Sequence, residues 1–135
     1  MTIDEASTAM GAPLVPDMDF DEPELCQTLH IEGAAGEGAV RFMAQHGRIS
    51  RISDYERPDG TTPEGVGVGS ADAEIRAAYP NAIEQPPKYD APPAHDLIVW
   101  TTPETSGMRF EVGADGIAKI LHVGNESILL VEGCL

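Results

Sequence analysis

Histidine and carboxylate side chains are the groups in this chain that could move protons, and it offers four of the first and 23 of the second over 135 residues. His122 follows the second of two similar hairpins, and a hydrolase could draw on either it or a pair of carboxylates. His46 lies in a turn, where a lone histidine is ordinarily a solvated surface group, and His30 and His95 stand apart from both. No serine is marked as a nucleophile: around Ser70, Val68 and Asp72 occupy the glycine positions of a nucleophile elbow. Asp17, Asp19 and Asp21 alternate like the first ligands of an EF-hand loop. Glu22 stands at the turn glycine and Thr28 at the bidentate glutamate, however, so a solvated acidic run is expected instead of a calcium loop. Cys26 and Cys134 are distant and the histidines scattered, with no zinc-ligand spacing among them, so neither a metal nor a cofactor is expected. Asp54, Glu56 and Asp59, interleaved with Arg51 and Arg57, read as a mixed surface patch. Recognition falls to Lys88, Tyr89, Trp100 and Arg109, with Tyr55 beside them, because arginine and aromatic side chains contribute disproportionately at interfaces. Lys88 and Tyr89 lie in a proline-rich stretch and should be exposed, whereas Trp100 ends the apolar run Leu97-Ile98-Val99 and should pack in the core.

The elements that must position these groups form one domain preceded by an acidic stretch. The formal charge is −15, which disfavours nucleic acid and anionic membrane surfaces as partners. The wholly apolar runs, Leu97 to Trp100 and Ile128 to Val131, are far shorter than a membrane-spanning helix, so no transmembrane segment is expected. Residues 1–40 contain nine acids and no Lys or Arg, and Pro13, Pro16 and Pro23 interrupt the start. Residues 1–24 are therefore expected to be a flexible acidic lead-in to a single domain over 25–135. Met1 to Met10 has neither a basic nor an apolar region of the kind a secretory leader needs.

Two hairpins look like copies of one another. Val40-Arg41-Phe42 recurs as Met108-Arg109-Phe110, an offset of 108 − 40 = 68, and the same offset carries Ile49 to Ile117, Arg51 to Lys119 and Ile52 to Ile120 without a gap. Leu29 and Ile31 map by it onto Leu97 and Val99. Each copy reads as strand, polar turn (Gln45-His46-Gly47; Ala114-Asp115-Gly116) and second strand, with a bulge suggested at the same point of each. Duplication and chance likeness of two ordinary amphipathic hairpins both remain open at this level. Between the copies, Ala71 to Tyr79 reads as a helix with Ser70 as N-cap, a stripe of Ala71, Ile75, Ala78 and Tyr79, and Pro80 as its stop. Pro80 to Ala94 carries five prolines and reads as a surface connection with at most a short strand near Lys88-Tyr89. The chain closes on a strand over Ile128 to Val131. The expected class is α+β: an antiparallel sheet from two related hairpins plus a C-terminal strand, packed by one short helix.

Gly65-Val66-Gly67-Val68-Gly69-Ser70, then Glu74-Ile75-Arg76-Ala77-Ala78-Tyr79-Pro80, Lys88-Tyr89 and the closing Glu132-Gly133-Cys134 resemble a group of uncharacterised bacterial envelope proteins, usually made with a signal or lipoprotein leader. A more distant likeness joins the glycines, the helix and the following strands to the small α+β units of BamE-type assembly lipoproteins and of the β-lactamase inhibitory protein. These resemblances imply a fold and a periplasmic or secreted location, and carry over no catalytic residue. Cys26 and Cys134 flank the domain; they are either two unrelated thiols or a disulfide, and their placement favours the disulfide. The function expected is a noncatalytic binding or interaction module of the bacterial cell envelope, with an unidentified protein or small ligand as partner. The alternative is a small hydrolase-like enzyme built from scattered histidine and carboxylate groups.

Overall fold

The chain opens with a helix capped by its own first residues: Thr2 Oγ1 accepts from the Glu5 N–H while Glu5 Oε1 accepts from the Thr2 N–H, and α1 (Ile3–Met10) ends at Gly11 with φ 72°. The computed structural model describes residues 1–33, 40–55, 61–103 and 105–134. After α1 come β1 (Leu14–Pro16), β2 (Cys26–Ile31), β3 (Val40–Gln45) and β4 (Arg48–Tyr55), each antiparallel to the strand before it. The sequence of elements then repeats as α2 (Asp72–Ala78), β5 (Ile83–Gln85), β6 (His95–Thr102), β7 (Ser106–Val112) and β8 (Ala118–Gly124). Because β4 pairs antiparallel with β8, the order is β1-β2-β3-β4-β8-β7-β6-β5. One eight-stranded sheet thus carries a helix and four strands twice, mirrored about the β4/β8 seam. The class is α+β, with a larger sheet and one more helix than the sequence suggested.

Register bears out the repeat and corrects part of it. Leu29 faces Phe42 as Leu97 faces Phe110, and the pairing shifts at Met43/Ala44 as it does at Glu111/Val112, all at the expected offset. Gly47 and Gly116 take the positive φ of their turns, 75° and 79°. The last strand departs: Phe42 faces Ile52, but Phe110 faces Leu121, an offset of 121 − 52 = 69. The second turn holds one residue more, so Arg51 corresponds to Ile120, and Ser53 to His122.

Both helices lie on one face. Ala6 packs with Leu14, Leu29, Phe42 and Ala44. Ile75 and Tyr79 pack with Leu97, Val99, Met108 and Phe110 among others. Between the two clusters, the cross-strand neighbours Ile52 and Val123 remain exposed.

Three further expectations change. The stretch 1–24 carries α1 and β1: Ala6 and Leu14 are buried while Asp4 and Glu5 point outward, and Pro16 is tolerated because β1 is an edge strand. Ser70 is not the N-cap of α2; its Oγ accepts from Gly67 N–H, and the helix start is held by Glu74, which accepts from Ala71 N–H. Ile128 to Val131 is no strand. Asn125 caps a 3-10 helix (Glu126–Leu129) by accepting from Ser127 N–H, and β5 replaces the short strand sought at Lys88-Tyr89.

Candidate functional site

Register decides which polar side chains meet. Arg41 stands opposite Ser53, Ser53 opposite His122 and His122 opposite Arg109, so the four form one row across β3, β4, β8 and β7 on the face away from both helices. Glu111 occupies the next row, between Ile120 and Asp96.

Burial sets the protonation of this row. His122 is 2% exposed, and desolvation of its charged form pushes its pKa down to about 4 against the pull of Glu111. Burial alone would raise Glu111, but its hydrogen bond from His122 and the neighbouring arginine charges hold its carboxyl below the usual range. An ionised carboxylate can only accept. The neutral imidazole therefore donates Nε2–H to Glu111 Oε2 at 2.5 Å and receives the Ser53 hydroxyl at Nδ1 at 2.6 Å. Arg109 is closed in: Nη1 lies 3.2 Å from Glu111 Oε2 and 3.3 Å from Asp96 Oδ2, and Nε donates to the Ile128 carbonyl. Burial raises the Asp96 pKa despite that partner. Arg51 donates from Nη1 to the Ser127 and Leu130 carbonyls at 3.0 and 2.7 Å, burial lowers its pKa, and its buried Nε has no hydrogen-bond partner.

Those carbonyls belong to the chain after β8, which crosses the polar face. Ile128 is fully buried there, and Cys134 is bonded to Cys26 on β2 with an S–S distance of 2.07 Å, as the sequence led us to expect. Under Leu130 to Gly133 an open cavity of about 750 Å³ remains, lined by Thr28, Arg41, Met43, Arg51, Ser53, Tyr55, Lys119 and His122. Tyr55 meets the His122 ring edge-on, with centroids 6.2 Å apart.

The residues singled out from the sequence disperse around this site. Lys88 and Tyr89 are exposed as expected and both reach Glu132 of the crossing segment, Lys88 Nζ at 3.2 Å and Tyr89 through its hydroxyl. Arg109, expected at a recognition surface, is only 3% exposed, because the acids beside it and the Ile128 carbonyl satisfy it internally. Trp100 is half-buried at the end of β6, outside the core cluster. His122 is bound to Glu111 of the next row. Asp17 binds His30 at 2.6 Å and His95 binds Asp72 at 2.5 Å, so these histidines serve separate surface pairs. Glu56, Arg57 and Asp59 lie outside the described residues. Sequence reasoning missed Arg41, Ser53 and Glu111 as members of a site; alternation placed each on one face of its strand, but the seam that joins the strands is nonlocal.

No protein-family model and no curated protein matches the chain. Among solved structures, the fold is similar to that of a cysteine-rich secretory protein from Staphylococcus aureus, with a TM-score of 0.55 over 95% of this chain at 8% identity. The chain spans 44% of that protein's length, and at such identity the likeness is one of fold alone.

Proposed function

We propose that the protein is a noncatalytic binding module of the bacterial cell envelope, in the periplasm or secreted, that takes its ligand in the cavity beneath the C-terminal segment. The observation that carries this reading is the cavity itself. Its volume of about 750 Å³ lies in the range of small-ligand sites, and its polar floor is already held in place by hydrogen bonds. The Cys26–Cys134 disulfide suits an oxidising compartment, and the family resemblance of the glycine-rich turn and α2 supports the envelope. One observation favours a hydrolase instead: Ser53, His122 and Glu111 form a chain in the order nucleophile, base and orienting carboxylate. Against it, Ser53 is 2% exposed and sits in mid-strand between β3 and β8, where a substrate carbonyl has little access to its hydroxyl.

A ligand-observed NMR screen with a small fragment set, followed by amide shift mapping and by treatment with a fluorophosphonate probe, tests the two readings together. Fragments should compete with one another and move the Ser53, Tyr55 and His122 amides, with no adduct on Ser53. A Ser53 adduct would overturn the noncatalytic reading. A screen in which no fragment moves those amides would end the binding reading.

A further inference from the structure

We propose that the cavity receives an organic carboxylate that sits against Arg41 as Asp96 and Glu111 sit against Arg109, an inference that rests on the binding reading above and specifies its ligand. The argument comes from the repeat. The offset that carries β2 and β3 onto β6 and β7 makes Arg41 the counterpart of Arg109, Thr28 that of Asp96 and Met43 that of Glu111. In the second half the cross-strand pair Asp96 and Glu111 brings two carboxylates to the guanidinium. In the first half the matching pair is Thr28 and Met43, neither of which bears a charge, and both line the cavity.

Arg41 is left underpaired. Its approach to Asp17 is 3.9 Å, Asp17 is itself engaged with His30 at 2.6 Å, and its Nη1 is buried without a hydrogen-bond partner. Arg51 Nε is in the same condition, its Nη1 spent on neutral carbonyls, and Lys119 lines the cavity as the residue skipped where β7 and β8 shift register. Three of the eight basic residues of a chain with net charge −15 therefore line one cavity. The three acids that share it are committed, Asp17 to His30, Glu111 to His122 and Arg109, and Glu132 to Lys88 and Tyr89. Repulsion from the rest of the protein decays over a Debye length of about 8 Å at physiological salt, so the local cations govern the site. A carboxylate bound there would gain charge-assisted hydrogen bonds to a guanidinium that otherwise lacks them.

The test is a heteronuclear NMR titration of the full, oxidised protein with succinate, beside succinamide, inorganic phosphate and a tripeptide with a free C-terminus. Succinate should move the Arg41 Nε–H and Ser53 amide signals, and succinamide should not. Response to the tripeptide as well would widen the ligand to peptide C-termini within the same carboxylate chemistry. Arg41→Gln should weaken succinate by about tenfold or more, Thr28→Asp, which supplies the carboxylate from within, should also weaken it, and Arg48→Gln at the exposed start of β4 should leave it unchanged. Unaltered affinity in Arg41→Gln, an equal response to succinamide, or phosphate binding without succinate would overturn the assignment. If neutral fragments occupy the cavity while neither carboxylate does, this inference fails and the binding reading stands; if nothing occupies it, both fail.

Discussion

The two halves of the sheet use the same register for opposite ends. Arg109 is surrounded by its own acids and a backbone carbonyl and is 3% exposed, while Arg41, at the matching position, faces a cavity with a single carboxylate 3.9 Å away. The helices differ in the same sense: α2 and its C-cap bury Ile75 and Tyr79 in the larger cluster, α1 only Ala6 in the smaller. The second half satisfies its arginine internally, whereas the first leaves Arg41 Nη1 without a hydrogen-bond partner. The difference traces to one cross-strand pair, Asp96 and Glu111 in one half and Thr28 and Met43 in the other.

The sharpest way to break this comparison is to remove each arginine. Arg109→Met should cost about 3–5 kcal/mol in a urea titration, because Asp96 would remain buried without its cation and the half-buried Glu111 would lose one of its two partners. Arg41→Met should cost less than about 1 kcal/mol. Equal losses would show that the halves are energetically alike.

Acid should reveal the same asymmetry. The folded pKa of His122, about 4, lies below its ordinary value of 6.5, so the unfolded chain binds more protons between those limits. The contribution is fully present above pH 6.5 and is lost as pH falls toward 4, amounting to about 3 kcal/mol. The lowered pKa of Glu111 acts in the same direction at lower pH, and the raised pKa of Asp96 opposes it. Denaturant midpoints measured from pH 7 to pH 4 should fall, and His122→Gln should flatten the slope. Smaller effects should come from the helices: Ile75→Ala should cost about 2–3 kcal/mol and Ala6→Gly about 1 kcal/mol by thermal unfolding. Smallest of all, Arg76→Ala should stay within about 0.5 kcal/mol, since its pairs with Asp72 and Glu84 are solvent-washed.

Much of the architecture was legible because it was repeated. The recurrence of Val40-Arg41-Phe42 as Met108-Arg109-Phe110 announced both hairpins, and the isoleucines three apart, Ile49 and Ile52 against Ile117 and Ile120, announced the bulge they share. The extra residue in the second turn was invisible, since the isoleucines of β4 and β8 align well enough without a gap, and that shift hid the correspondence of Ser53 with His122. α1 escaped because the acids around it outweighed a short signal, the Thr2 and Glu5 capping box, and because Ala6 alone of its residues is buried. The site was least legible. Its row joins β3 to β7 through the β4/β8 pairing, and no local pattern states which strands of two repeats will meet.

The disulfide also fixes how the molecule would carry force. Cys26 and Cys134 tie the start of β2 to the segment beyond β8, so tension entering before residue 26 and leaving after residue 134 passes through a covalent link and bypasses the strands between. Among the described elements, only α1 and β1 stand outside that protected circuit. Under a steady pull they would peel away first, and the remaining sheet with its cavity would stay slack; single-molecule stretching of the oxidised protein should show only that short extension, with the long one appearing after reduction.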